Sequence, residues 1–343
     1  MAKEAIAILE SGLVCSVGLN APAAFAAIRA AITNHSETKF IGANGEWLIG
    51  AAAPLDTSWL GRTRLVKMLA SAISECLNNL DPAQLPAVPL LLCVSEVDRP
   101  GRTEDLDNKL YEALQSELGW QFNKSHSLII PQGRISAAIA LAHARKLIYE
   151  HNIPFVLIAA VDSLLVAAAL DEFEDSRRIL TDKNSNGFIP GEAASAVLVG
   201  RSSKEGVGQL LCTGIGYALE RATIHSEEPL RADGLSEAIK NALNEAACDM
   251  GDMDFRITDN SGEHYYFKEA ALALTRTLRR RKETMDIWHP ADCIGEVGAA
   301  IGPALLGLGL AAGRKAYALG NNMLCHMGND SGQRAAIVLQ YEQ

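Results

Sequence analysis

The chain has 343 residues, with 31 Lys and Arg against 41 Asp and Glu for a net charge of −10, and is 48% hydrophobic but only 6% aromatic. Such a length and apolar content can bury a substantial core, as one large domain or two of about 150–200 residues, and they exclude a disordered or fibrous chain. The acidic balance excludes non-specific binding to nucleic acid or to an anionic membrane, because the field of the whole molecule repels polyanions.

In chain order, EAIAILESGLV (4–14) reads as a strand and PAAFAAIRAAI (22–32) as a helix. The opening MAKEAIAILESG lacks the basic-then-apolar order of a signal peptide. RTRLVKMLASAISECLNNL (62–80) has the spacing of a long amphipathic helix, and AVPLLLCVSEV (87–97) that of a buried strand. A helix around 104–118, a strand at HSLIIP, a helix over 134–151 and a strand at PFVLIAAVD (154–162) follow. Alternation of this kind predicts an α/β fold with parallel strands and crossover helices. The basic run RTLRRRK (276–282) reads as a solvated helix end. GPALLGLGLAAG (302–313) is too short and Gly-rich for a membrane span of about 18–20 residues, so a buried helix is expected.

Two pairs of segments repeat in the same order. GRISAAIA, from Gly133, matches GEVGAAIG, from Gly295, a spacing of 162 (295 minus 133). GEAASAVLVG, from Gly191, matches GQRAAIVLQY, from Gly332, a spacing of 141 (332 minus 191). An internal duplication is expected, with halves at residues 1–204 and 205–343 joined at RSSKEGVG (201–208), and with small residues letting two central helices pack closely.

The seven cysteines, Cys15, Cys76, Cys93, Cys212, Cys248, Cys293 and Cys325, are odd in number, scattered and without a CxxC. They read as reduced cytoplasmic thiols, not as disulfides or a zinc site. Cys325 and His326 adjoin, but neighbours on a regular strand face opposite ways and do not form a dyad. His143 on its helix reads as a core or interface histidine. GDMDF lacks the ligand spacing of a calcium loop, GIGYALE (214–220) lacks the third Gly of a dinucleotide fingerprint, and no metal or cofactor is expected.

TDKNSNGFIPGEAASAVLVG (181–200) resembles the β-ketoacyl synthases, in which a polar turn leads through Gly-Phe-x-x-Gly-Glu into an apolar strand. ESGLVCSVGLNAPAAFAAIRAAI (10–32), ARKLIYEHNIPFVLIAAVDSLL (144–165) and GNDSGQRAAIVL (328–339) resemble the same family, so the likeness spans nearly the whole chain. It implies a thiolase fold, two duplicated α/β halves in five layers, α-β-α-β-α. The family transfers and condenses acyl groups with a Cys nucleophile at a helix start and two His residues, types suited to thioester attack and oxyanion stabilisation.

Carried over by position, the resemblance puts Gly133 where the Cys belongs, Ser261 and Glu296 where the two His belong, and Ala291 where a Lys belongs. No Cys lies within 120–140. The Phe-containing gate reads MGNDSG (327–332). The resemblance therefore implies a catalytically degenerate homologue acting as scaffold, adaptor or partner subunit, tied to acyl-chain metabolism or a bacterial secretion gene cluster. Glu296 at a helix start is expected to complement the dipole, and Ser261 to be a turn residue. The alternatives are an acyltransferase of the 3-oxoacyl synthase type with its nucleophile moved to Cys293, Cys325 or Ser261, and an acyl or lipid sensor. By the same resemblance the partner is a second copy or a related chain, paired through the strand near 126–130, or an acyl carrier protein.

Overall fold

The computed structural model describes residues 4–103, 106–203 and 208–342. The expected boundary at 204/205 lies outside the described residues, as do residues 104 and 105 of the helix expected around 104–118. The first half runs β1 (Ile6–Val14), α1 (Ala21–Arg29), β2 (Ser36–Ile41), β3 (Trp47–Gly50), α2 (Gly61–Cys76), β4 (Leu90–Cys93), α3 (Leu106–Leu118), β5 (Leu128–Ile130), α4 (Ser136–Tyr149), β6 (Phe155–Ser163), α5 (Ala167–Asp175) and β7 (Glu192–Arg201). The second runs β8 (Gln209–Leu219), α6 (Asp233–Ala246), β9 (Phe255–Thr258), α7 (His264–Thr277), β10 (Ile287–Trp288), α8 (Ala291–Ile294), α9 (Ile301–Arg314), β11 (Asn322–Gly328) and β12 (Gln333–Glu342).

Ten strands form one sheet in the order β10-β9-β11-β12-β8-β1-β7-β6-β4-β5. Each half, read outward from the seam between β8 and β1, has the same order and the same strand senses. β1 with β7 and β7 with β6 are antiparallel, and β6 with β4 and β4 with β5 are parallel. β8 with β12 and β12 with β11 are antiparallel, and β11 with β9 and β9 with β10 are parallel. The sheet is therefore mixed. The parallel pairing expected from alternation holds for β6-β4-β5 and β11-β9-β10, while the strands nearer the seam pair antiparallel, β11 and β12 across one short turn. At the seam Ile6, Ala7 and Ile8 pair with Cys212, Leu211 and Leu210.

Strand alternation sorts side chains into separate cores. On β6, Val156, Ile158 and Ala160 face the central core, whereas Leu157, Ala159 and Val161 face the core beneath α2 and α3. On β12, Ala335, Ile337 and Leu339 face the same central core, and Ala336 and Val338 the one beneath α6. The layers are thus α2 and α3, a half-sheet, α4 and α9, a half-sheet, and α6 and α7. GPALLGLGLAAG is buried almost all round as α9, because it lies between two sheets. A Cβ at Gly302 of α9 would lie 2.4 Å from the Ala137 Cβ of α4, so the small residues do serve close helix approach.

Both central helices start the same way. A 3-10 turn at Gly133–Ile135 leads into α4 and one at Gly298–Ala300 leads into α9. Gly133 has φ +52° and Gly298 φ +54°. The preceding residues, Gln132 (φ −122°, ψ 22°) and Val297 (φ −116°, ψ 19°), match as well. The structural partner of Gly133 is therefore Gly298, not Gly295, and the spacing of 162 read from the sequence is corrected by one helical turn. The Ala-Ala-Ile runs coincide in sequence but not in the backbone, where Gly295 instead ends α8. The spacing of 141 agrees with the ten-residue strands β7 and β12. His143 is exposed on α4, so it is not a core residue. Gly214 and Gly216 of GIGYALE sit in β8 against the α6 backbone.

Candidate functional site

The two helix starts face one cavity of about 330 Å³, whose lining includes Glu96, Arg134, Glu296 and Gly298. On the α4 side Gly133 N–H donates to Val94 O at 3.0 Å. Ser136 Oγ donates to Ile130 O at 3.0 Å and accepts from Gln132 N–H at 3.1 Å. The turn is thereby tied to the ends of β4 and β5. A Cβ at Gly133 would stand 1.9 Å from Glu96 Oε1. Position 133 can hold only glycine while Glu96 points there, and its positive φ favours glycine independently.

The α9 side is built alike. A Cβ at Gly298 would stand 2.1 Å from Asp162 Oδ2. Ala299 N–H donates to Asp162 Oδ2 at 3.0 Å, and Gly298 N–H donates to Glu296 Oε1 at 2.9 Å. These are the free N–H groups a helix start offers to an anion, and the chain's own carboxylates take them.

Arg134 lies beside Gly133 and is buried. Its Nη2 donates to Tyr266 OH at 2.7 Å and to Asp330 Oδ1 at 2.8 Å, and its guanidinium lies 4.7 Å from the Tyr266 ring centre. Its Nη1 stands 3.6 Å from Glu296 Oε2 and 3.7 Å from Asp259 Oδ2. A cation at a helix N-terminus opposes the dipole, so this cluster of carboxylates is what holds it there. Asp330, in the turn from β11 to β12, also accepts from Arg178 Nη1 at 2.6 Å. Arg178 in turn grips Glu263 through Nε at 2.7 Å and Nη2 at 2.8 Å. Tyr266 OH donates to Asp330 as well.

Burial pushes the Glu296 carboxyl up to about 7; Arg134 opposes the rise and Asp259 adds to it. Burial likewise raises Asp259 and Glu96. Burial alone would raise Asp330 too, but Arg134 and Arg178 hold it well below the usual carboxylate range.

The structure brings Gly133, Glu296 and Ser261 into one neighbourhood. Ser261, in the loop from β9 to α7, lies close enough to Glu296 to help hold its proton off, yet its buried Oγ meets no partner at hydrogen-bond geometry. Ala291 opens α8 and is buried. Neither Cys293 nor Cys325 lines the cavity. Cys293 sits on α8, where its carbonyl accepts from Ser16 Oγ at 3.4 Å, and Cys325 is fully buried in β11. Burial raises both thiols. His326 faces away from Cys325, its Nδ1 3.2 Å from Thr258 Oγ1, and burial lowers it to about 3. Among the described residues no group of three or more His, Cys, Asp or Glu could hold a metal ion, and no helix is long and apolar enough to cross a membrane.

Sequence reasoning did not find Glu96, Asp330, Arg178 or Tyr266. The one available signal was Arg134, a cation at a predicted helix start that demands acidic partners.

No family model matches the chain, and no curated protein matches it significantly. Its fold is that of the thiolase-fold ketosynthases. The chain is similar to a chain of the complex of a ketosynthase with its chain length factor from Xenorhabdus doucetiae, with a TM-score of 0.74 at 11% identity over 99% of this chain and 98% of that one. It is also similar to a type II polyketide synthase complex in which an acyl-carrier protein meets its ketosynthase bound to the hexaketide, with a TM-score of 0.81 at 13% identity over 98% of this chain and 99% of that one. The ishigamide ketosynthase/chain length factor has a TM-score of 0.72 at 17% identity over 98% of this chain and 99% of that one.

Proposed function

We propose that this chain is a ketosynthase-fold subunit without thioester chemistry, working by association with a second copy or a related ketosynthase-fold chain. The carrying observation is the set of three carboxylates at the helix starts. At position 133, where the family's nucleophile would stand, Glu96 fills the space of a side chain. At the other start, Glu296 and Asp162 already take the N–H groups that this helix start could offer to an anion. The buried, raised thiols of Cys293 and Cys325 support the same reading, because the thiolate is the reactive form.

Association is supported by β5, the edge strand of the first half-sheet, which carries the exposed Leu128. An unpaired edge is a template for another strand. Solved ketosynthases of this fold occur in complexes with a chain length factor or an acyl carrier protein, so both are partner candidates for this chain. The division at 204/205 belongs to this proposal, as two halves of one subunit.

The test has two arms. Incubation with malonyl- and acetyl-thioesters should give no decarboxylation and no mass increase; a stoichiometric acyl adduct would overturn the reading. Light scattering at micromolar concentration should show a dimer, alone or with a related chain, and a stable 36.7 kDa species under both conditions would refute the association.

A further inference from the structure

We propose that the cavity between the two helix starts binds a small organic cation, a primary amine on a short apolar body, held by the carboxylates of Glu96 and Glu296. This rests on the reading that no acyl group is processed there.

The charges around the cavity select the sign of the ligand. Five carboxylates and three guanidinium groups line it. Each guanidinium already has its charge matched: Arg178 by Glu263 and Asp330, Arg134 by Asp330, and Arg99 by Asp162 at 2.7 Å, although Arg99 Nε and Nη1 make no hydrogen bond. An anion entering the cavity therefore meets only cations already paired with carboxylates, and an excess of negative charge.

Two acceptors remain. The Glu96 carboxylate, mostly buried against Gly133, accepts no hydrogen bond from another residue among those described. Glu296 is more than nine-tenths buried and lines the same cavity. Its Oε1 is used by Gly298 N–H, while beside the rest of the carboxylate stand only the Ser261 hydroxyl and Arg134 Nη1, the latter 3.6 Å from Oε2. Both carboxylates line the cavity, where a donor on a ligand can reach them. An ammonium carries three donors and no acceptor, which suits two carboxylates lining one cavity.

The other walls select the body of the ligand. Leu164, Phe173, Phe188 and Pro100 supply an apolar side, and the volume of about 330 Å³ is at the small end of ligand cavities. With no metal-holding cluster among the described residues, an organic cation fits better than a bare ion.

The experiment is calorimetric titration of the full chain at pH 8 with three probes of one size: n-butylamine, n-butanol and sodium butyrate. Butylamine is expected to bind saturably at one site, butanol at least tenfold more weakly, and butyrate not at all. Glu96→Gln should weaken butylamine roughly tenfold to a hundredfold, the range of a charged hydrogen bond, whereas Asp98→Asn at the cavity rim should change it less than threefold. Should Glu96→Gln fail to fold, esterification of Glu96 in the unaltered chain by a diazoacetamide, which reacts with carboxyls and not with amines, followed by peptide mass, should be slowed by butylamine and not by butanol. Equal binding of all three probes, no saturable butylamine binding, or an unprotected Glu96 overturns the proposal. Those results leave the non-catalytic reading intact, while an acyl adduct removes that reading whatever the amine does.

Discussion

Glu96 stands in the space that a side chain at Gly133 would need, its Oε1 1.9 Å from where the Cβ would be. Placing a thiol there by Gly133→Cys requires the Glu96 carboxyl, the end of a flexible side chain, to swing aside, and it forces a β-carbon into the left-handed backbone at φ +52°. The backbone share dominates, with an expected loss of about 1–2 kcal/mol in urea unfolding. Adding Glu96→Ala should therefore recover little of it. If Gly133→Cys is as stable as the unaltered chain, the left-handed backbone at position 133 is not what demands glycine.

The pair Asp330 and Arg178 should dominate the response of the site to acid. The two arginines hold the Asp330 carboxyl far below the 3.8 at which it ionises when unfolded. Its contribution is present above that value and is lost as pH falls beneath it. Asp330→Asn is expected to destabilise the fold by about 2–4 kcal/mol at pH 7, since it strips buried Arg134 and Arg178 of a shared partner. The difference from the unaltered chain should hold down to about pH 4 and shrink only as pH falls further below 3.8. A cost independent of pH would show that the carboxylate charge is not what matters.

Glu296 and Glu269 act in the opposite direction. Each has its carboxyl raised from 4.5 to about 7 by burial. The folded chain keeps these protons longer than the unfolded one, so no penalty exists below about pH 4.5 and it is fully established above pH 7. Stability should therefore decline between those limits. Glu296→Gln keeps an acceptor for Gly298 N–H and cannot ionise, and it should flatten that decline by an amount on the order of 1–3 kcal/mol at pH 8. Denaturant midpoints measured across the range decide it; an unchanged slope means that Glu296 is not the group responsible.

Thiol labelling gives an independent check. Six of the seven cysteines are buried, and only Cys248 is partly exposed. Iodoacetamide on the native chain should modify Cys248 first, near one equivalent, with the others following only on unfolding. Prior labelling of Cys293 or Cys325 would revive the relocated nucleophile.

Much of the architecture was legible because strands and helices announce themselves by period. VLIAAV and AAIVL alternate toward two cores, and α9 is apolar on every side, so their positions between layers could be read directly. The register of the helix starts could not. Ala-Ala-Ile recurs for packing reasons, and only the φ of Gly133 and Gly298 shows which residues correspond. The site itself was half legible. Gly133, Ser261 and Glu296 were found by resemblance, but Glu96, Asp330 and Arg178 come from distant segments joined by no local pattern. A buried ion network depends on which loops meet, and spacing within one segment carries no record of that.

The seam between β1 and β8 has a consequence for how the chain assembles. β1 is synthesised first, yet its sheet neighbours are β7, from Glu192, and β8, from Gln209. Neither half-sheet can close until its last strand slots in beside its first. Such late, long-range pairings make for slow folding and leave the nascent amino-terminal strand unpartnered meanwhile. Most of the waiting, for a ribosome-bound copy, falls on Ile6, Ile8 and Leu13, whose strand has no sheet partner until the segment from Glu192 has emerged.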